Sequence, residues 1–334
     1  MKRIVCILSV LSVFLSCEKE VHFPLDRGKD YIPFRVTPGL AMETKAVDGS
    51  YFGTGSYNLG LWLGHRNSSG VFVPQIKGYD NIKAGAVSTA GGSSSEFRID
   101  WTYTLGGNSY KSLFVEKGEE VEVYSYHPWV SGVTDLTAVK FVSGQSDWMW
   151  AAPVVLSESQ TSGDAVVAEL QYSHAMTCIE VRLSCIYNGT VKLTRMSLND
   201  TRGRLYAEGT MNALDGSLSL NEKDKVGNIS ISPNVHLNTL SQPFSIIIPP
   251  LNGLQLDDGT NSGELYLSFE FNGKPGLQKY YLPKSMMKDG VETDINSFDK
   301  GKKYIYQLVL DNKVSFSPVE VVTEWGNESI DVIL

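Results

Sequence analysis

The chain has 334 residues, 42% of them hydrophobic and 20% charged, the proportions of a globular protein that can bury a core in about two domains. Its formal charge is −8, and no basic stripe interleaved with aromatics is visible, which argues against nucleic acid or anionic lipid headgroups as partners.

The first element is Met1-Lys2-Arg3, then an apolar run from Ile4 to Phe14, then Leu15-Ser16-Cys17. A basic start, an apolar stretch of about 7–15 residues and a small residue at the cut describe a secretory signal peptide over 1–16. A transmembrane helix needs about 20 apolar residues, so this run is too short. Phe14-Leu15-Ser16-Cys17 looks like a bacterial lipobox, in which the Cys17 thiol is acylated and becomes the mature N-terminus. An ordinary signal peptide with an incidental cysteine is the plainer alternative. Several acyl chains, at about 0.8 kcal/mol per buried CH₂, would anchor the protein stably in the outer membrane. Glu18 and Glu20 resemble a surface-export signal of some Gram-negative lipoproteins. Loss of the signal removes Lys2 and Arg3, leaving 27 basic against 37 acidic residues, a net −10.

Nearly every later segment reads as a strand. Tyr31–Val36 alternates, with Ile32, Phe34 and Val36 on one face, and Thr37-Pro38-Gly39 closes it. Tyr57–Leu63, Val71–Val73, Glu96–Leu105, Ser112–Val115 and Glu120–Tyr126 follow, separated by the turn-rich Gly64–Gly70 and the loop 91–95. Short helices are expected only at Ala84–Ala90 and Met286–Gly290. Gln160–Asp164 reads as a linker, which divides the chain into an anchor segment over 17–50, one sandwich over 51–160 and a second over 161–334. The second holds strands at Ala165–Tyr172, Thr177–Ile186, Val191–Asn199, Phe244–Pro249, Glu264–Phe271, Lys279–Leu282, Lys303–Val309 and Ser315–Val322. The fold class is therefore all-β, as antiparallel sandwiches.

Cys178 and Cys185 fall seven residues apart in one strand, on opposite faces and more than about 20 Å apart, beyond the reach of a disulfide. Two free thiols are expected.

Several fragments occur in a telling order. Val123–Trp129 resembles a "YxYYPY" strand, Ser146–Ala151 a "QxxDLLYA" segment and Tyr172–Met176 "FxHALAK". Lys300–Leu308 then precedes Glu324-Trp325 near the end. Together with Leu59–Trp62, these make the chain similar to the fimbrillin family, lipoprotein pilins of type V pili. The resemblance implies two transthyretin-like β-sandwiches and no enzymatic activity. It implies that a protease cuts after a basic residue behind the first strand, and that a strand from another subunit, or another copy, fills the vacated slot. Here the strand would be Tyr31–Val36, and the cut would fall between Lys45 and Ala46. Lys45 stands where the family's pilins carry Arg, which favours a Lys-cleaving protease or no processing. The donor strand would come from Ser315–Leu334, where Val319, Val321, Ile330, Val332 and Ile333 supply apolar anchors.

The remaining candidates have bland readings. His22, His65, His127, His174 and His236 show no metal-ligand spacing, and His174 reads as a hydrogen-bonded structural residue at the start of a strand. Asp257–Asn261 reads as a solvated hairpin loop. Trp148 and Trp150 share a face and could stack on a sugar, although a buried aromatic pair is the commoner outcome. No GxSxG, Walker loop or Cys–His nucleophile appears, and no cofactor is implied. The leading reading is a lipid-anchored pilus or accessory subunit that serves surface adhesion. The alternative is a monomeric surface lipoprotein that binds a glycan or a host ligand.

Overall fold

Alternating apolar side chains make strands, and the chain's regular structure is almost entirely strand. The computed structural model describes residues 25, 28–40, 55–90, 97–105, 107–156, 161–162, 165–186, 191–272, 277–288, 291–310, 314–316 and 321–322. The first half holds β1 (Tyr31–Leu40), β2 (Gly55–Arg66), β3 (Phe72–Pro74), β4 (Ile82–Ala90), β5 (Phe97–Leu105) and β6 (Asn108–Tyr110). It continues with β7 (Leu113–Glu116), β8 (Val121–His127), β9 (Val139–Val142), β10 (Met149–Leu156), β11 (Thr161–Ser162) and β12 (Ala165–His174). β13 (Thr177–Cys185) and β14 (Lys192–Asp200) open the second half.

One sheet runs β6-β5-β4-β2-β8-β10-β12-β1-β7, with β3 added to β2 and β11 to β12. Its two outermost strands, β6 and β7, are separated in sequence only by Lys111 and Ser112, so the sheet must curl until its edges adjoin. The side-chain period of two then sorts residues between two cores. Leu59, Leu61 and Leu63 of β2, with Val121 and Val123 of β8, face the first core, which also takes Phe34, Val36, Leu113 and Tyr172. Trp62, Tyr124 and Tyr126 point the other way, into a second cluster with Phe141, Trp148, Met176, Met211 and Ile247. Gly60 is required where β2 meets β8, because a Cβ there would lie 2.3 Å from the Tyr126 ring.

The second half packs two sheets over one core. In the first sheet β13 lies between Gln242–Ile248 and Lys303–Leu310; in the other β14 lies between Asn228–Ile231 and Leu265–Phe271. Ile179, Val181, Leu183 and Cys185 of β13 face that core, and Cys178 faces away. The halves share a ladder pattern. β12 is antiparallel to β10 and parallel to β1, which is antiparallel to β7. β13 is likewise antiparallel to Gln242–Ile248 and parallel to Lys303–Leu310, which carries the antiparallel Val314–Phe316 and Val321–Val322. β1 thus holds the place in the first half that Lys303–Leu310 holds in the second. The halves are also stitched together, since β9 pairs with Glu208–Met211.

Several expectations need correction. Ala84–Ala90 and, within Met286–Gly290, the described Met286–Lys288 are not helical: the first lies in β4, paired on both sides by β2 and β5, and Ser285–Lys288 is a hairpin strand against Val291–Asp294. Weak helical preference yields to ladder pairing in each case. β1 does not stop at Thr37-Pro38-Gly39 but runs to Leu40 along β12. Pro38 is tolerated because β7 flanks β1 only as far as Phe34, and among the described residues no other strand pairs that side of β1 there. β12 pairs β1 and β10 in the first sheet, so sheet membership changes between His174 and Thr177. His174 therefore ends a strand instead of beginning one. Around Ser315–Val322, the described stretches Val314–Phe316 and Val321–Val322 both run antiparallel to Lys303–Leu310.

Candidate functional site

β1 is the element on which the sequence reading places function, and its setting follows from its own alternation. Phe34 and Val36 are 1% and 3% exposed, Ile32 packs partly against the same core, and Arg35 points out. Full burial of an apolar side chain contributes about 1.5–3 kcal/mol, so Phe34 and Val36 together hold the strand by roughly 3–6 kcal/mol. On one side β1 runs parallel to β12, from Phe34 opposite Val166 to Leu40 opposite Tyr172. On the other it runs antiparallel to β7, from Tyr31 opposite Glu116 to Phe34 opposite Leu113. Its start is fastened by Lys117 N–H donating to Asp30 O at 2.9 Å and by the Lys29–Glu116 ion pair at 2.6 Å. In sheet order β12, β10 and β8 separate β1 from β2, its successor in the chain. β1 and β2 therefore share no ladder among the described residues.

The other sequence candidates are placed as follows. Cys17, Lys45 and Ala46 lie outside the described residues, as do Val319, Ile330, Val332 and Ile333. Val321 lies beside Tyr304 on the outer edge of Lys303–Leu310. Trp148 is 5% exposed and its indole N–H donates to Val142 O at 3.2 Å, so its ring is core and not a platform. Trp150 is half-buried, with Lys300 Nζ 5.5 Å from its ring centre. Both tryptophans are engaged by the chain's own residues where the halves meet.

Sequence reasoning missed two polar clusters near this junction. His174 Nδ1 bonds the Asp147 carboxylate at 3.0 Å and His127 Nδ1 bonds the Asp147 backbone carbonyl at 3.0 Å. Burial pulls the His127 pKa below its usual value. In the second half Glu180, 5% exposed, accepts from Arg182 Nε at 2.7 Å and faces Lys303 Nζ at 3.3 Å. A buried carboxylate held on two sides is a structural device. Cys178 and Cys185 are both buried, and neither is in a disulfide. Burial pushes the Cys178 thiol up to about 12, the opposite of a nucleophile's environment. Among the described residues no three His, Cys, Asp or Glu side chains stand together as a metal site, and no helix is long and apolar enough to cross a membrane. The chemistry this arrangement supports is backbone hydrogen bonding along a strand.

Two all-β halves built on one ladder pattern, the first with β1 set between β12 and β7, define an all-β sandwich class. A candidate cell adhesion protein from Bacteroides uniformis has this fold, with a TM-score of 0.53 over 88% of this chain and 98% of its own, at 15% identity. One from Bacteroides ovatus gives 0.52 over 91% and 100%, at 16% identity, and one from Bacteroides fragilis gives 0.52 over the same shares at 9%. No curated protein sequence matches the chain. The fimbrillin-like family model matches residues 63–325, and the chain belongs to that family.

Proposed function

We propose that this protein is an exported, lipid-anchored subunit or accessory of a pilus that assembles by donor-strand exchange and serves surface adhesion. Cys17 carries the lipid, and a cut between Lys45 and Ala46 releases the lipid and β1 together. The observation that carries the reading is the position of β1. It is an interior strand of its sheet, its Phe34 and Val36 plug the core, and its departure strips ladder partners from β12 and β7 alike. Unpaired strand edges beside an apolar slot recruit another strand, with main-chain hydrogen bonds giving affinity and alternate side chains giving register. The partner is another pilus subunit or a second copy of this chain, and the C-terminal segment supplies the donor strand.

The test is limited trypsin digestion of the purified precursor, followed by gel electrophoresis in detergent without heating. The reading expects one early cut at Lys45–Ala46 and then a ladder of assemblies. A precursor that is cut there and stays monomeric at high concentration contradicts it. Whether the surface form retains Cys17, read by mass spectrometry, separates an anchored accessory from a released pilin.

A further inference from the structure

Among the described residues β7 ends its sheet, with β1 as its one ladder partner. The register determines where its other backbone groups point. Lys117 N–H donates to Asp30 O, so residues 30 and 117 form a hydrogen-bonded pair, and alternation makes Pro33–Phe114 a non-hydrogen-bonded pair. That suits Pro33, which has no N–H, and it turns the N–H and C=O of Phe114 away from β1. One side chain takes both. The Tyr79 hydroxyl donates to Phe114 O at 2.7 Å and accepts from Phe114 N–H at 3.1 Å.

A phenol meets this need because it is donor and acceptor at once. Burial pushes the Tyr79 pKa far up, so the group stays protonated. Tyr79 is itself 0% exposed and pinned by its backbone: Leu63 N–H of β2 donates to Tyr79 O at 3.0 Å, and Tyr79 N–H donates to Ile76 O at 2.9 Å. A tie therefore runs from β2, inside the sheet, to β7 at its edge, and none of it passes through β1.

We propose that Tyr79 is the positioning residue that keeps β7 in place once β1 has left, so that the vacated slot persists as a two-walled groove. The inference rests on the strand-exchange reading. An incoming strand needs both walls, β12 and β7. Without the tie, the placement of the four-residue β7 would rest on its chain connections and on the packing of Leu113 and Val115, and it could shift over the exposed slot.

The test uses the full chain with a sequence-specific protease site replacing residues 42–47, which makes the cut independent of Lys45. After cutting and removal of the released strand, binding of a labelled peptide of residues 29–40 is read by fluorescence anisotropy for wild type, Tyr79→Phe and Tyr126→Phe. Tyr126 is the control, a fully buried phenol bonded to Asn81 and Val130 rather than to β7. A net hydrogen bond changes an equilibrium about 2- to 13-fold, so two lost bonds predict peptide binding weakened about tenfold in Tyr79→Phe. Tyr126→Phe should bind as wild type does. Equal binding by wild type and Tyr79→Phe, or equal losses in the two variants, overturns the proposal. A cut wild type that binds no peptide overturns the strand-exchange reading itself. Should Tyr79→Phe fail to fold, amide exchange in the cut wild type decides: a Phe114 amide still protected supports the tie, and one exchanging at the unfolded rate refutes it.

Discussion

Phe34 offers the sharpest test of how firmly β1 is seated. Its ring is 1% exposed, at the crossing point where β1 passes from its β7 ladder to its β12 ladder. Phe34→Ala removes the largest side chain β1 places in the core and leaves a cavity, a change that costs about 3–5 kcal/mol in a packed interior. A strand near the chain terminus can relax, which favours the lower end, about 3 kcal/mol. For a cooperative unit of 150–250 residues, about 2–4 °C of Tm is lost per kcal/mol, so Tm should fall by roughly 6–12 °C. Arg35→Ala, one residue along on the outer face, should stay within about 0.5 kcal/mol. Both are read by scanning calorimetry on the uncut chain. Equal effects of the two substitutions would refute the claim that the inner face of β1 plugs the core. The same cavity should also speed the release of β1 after the Lys45–Ala46 cut.

Other consequences are as specific. In a chain with Cys6→Ser and Cys17→Ser, Cys178 and Cys185 should resist a thiol reagent until the protein is unfolded, because both are 1% exposed; rapid native labelling would contradict their burial. Gly216 sits at φ +65, and an added Cβ would lie 2.0 Å from Trp150 Nε1. Gly216→Ala should therefore cost about 2–4 kcal/mol in urea unfolding, combining left-handed strain with overpacking, and a neutral result would place Trp150 elsewhere. For Asp200, burial raises the pKa, but hydrogen bonds from the Arg204 side chain and from the Arg204 and Arg202 backbone outweigh it, leaving the pKa below its usual value. The stabilisation is full above the unfolded carboxyl pKa of about 3.9 and disappears as pH falls through the lower folded value. Asp200→Asn should flatten the acid limb of stability measured by urea melts between about pH 2 and pH 6; an unchanged limb would show that the carboxylate is not held this way.

The contrast between sequence and structure follows the range of the interactions. Ile32, Phe34 and Val36 were legible because alternation is local. So were the strands of β2 and β8, although not the reason their off-face residues Trp62 and Tyr126 are apolar, which is a second core between the halves. The reading of Ala84–Ala90 as helix failed because its small residues say little, while β2 and β5 decide its state from either side. The place of β12 in the first sheet depends on β1, about 130 residues earlier, which no local linker signal reveals. Trp148, just before β10, and Trp150 both pack toward the cluster between the halves, a setting that depends on distant residues such as Gly216 and Lys300. Tyr79 carried no signal at all. Its partner is a backbone unit 35 residues away, identified only by the ladder register that leaves Phe114 outward.

The central claim is that β1 must leave its slot before subunits join, and a covalent staple tests it most directly. Tyr31 and Glu116 are opposite each other in a non-hydrogen-bonded pair, where Cα atoms lie about 4.5 Å apart, within disulfide range. The double variant Tyr31→Cys, Glu116→Cys is made in the chain lacking Cys6 and Cys17, cut at Lys45–Ala46, and its assembly followed on unheated gels with and without reductant. The account predicts monomers while the disulfide is closed and ladders once it is reduced. Equal assembly in both states would show that β1 never has to leave.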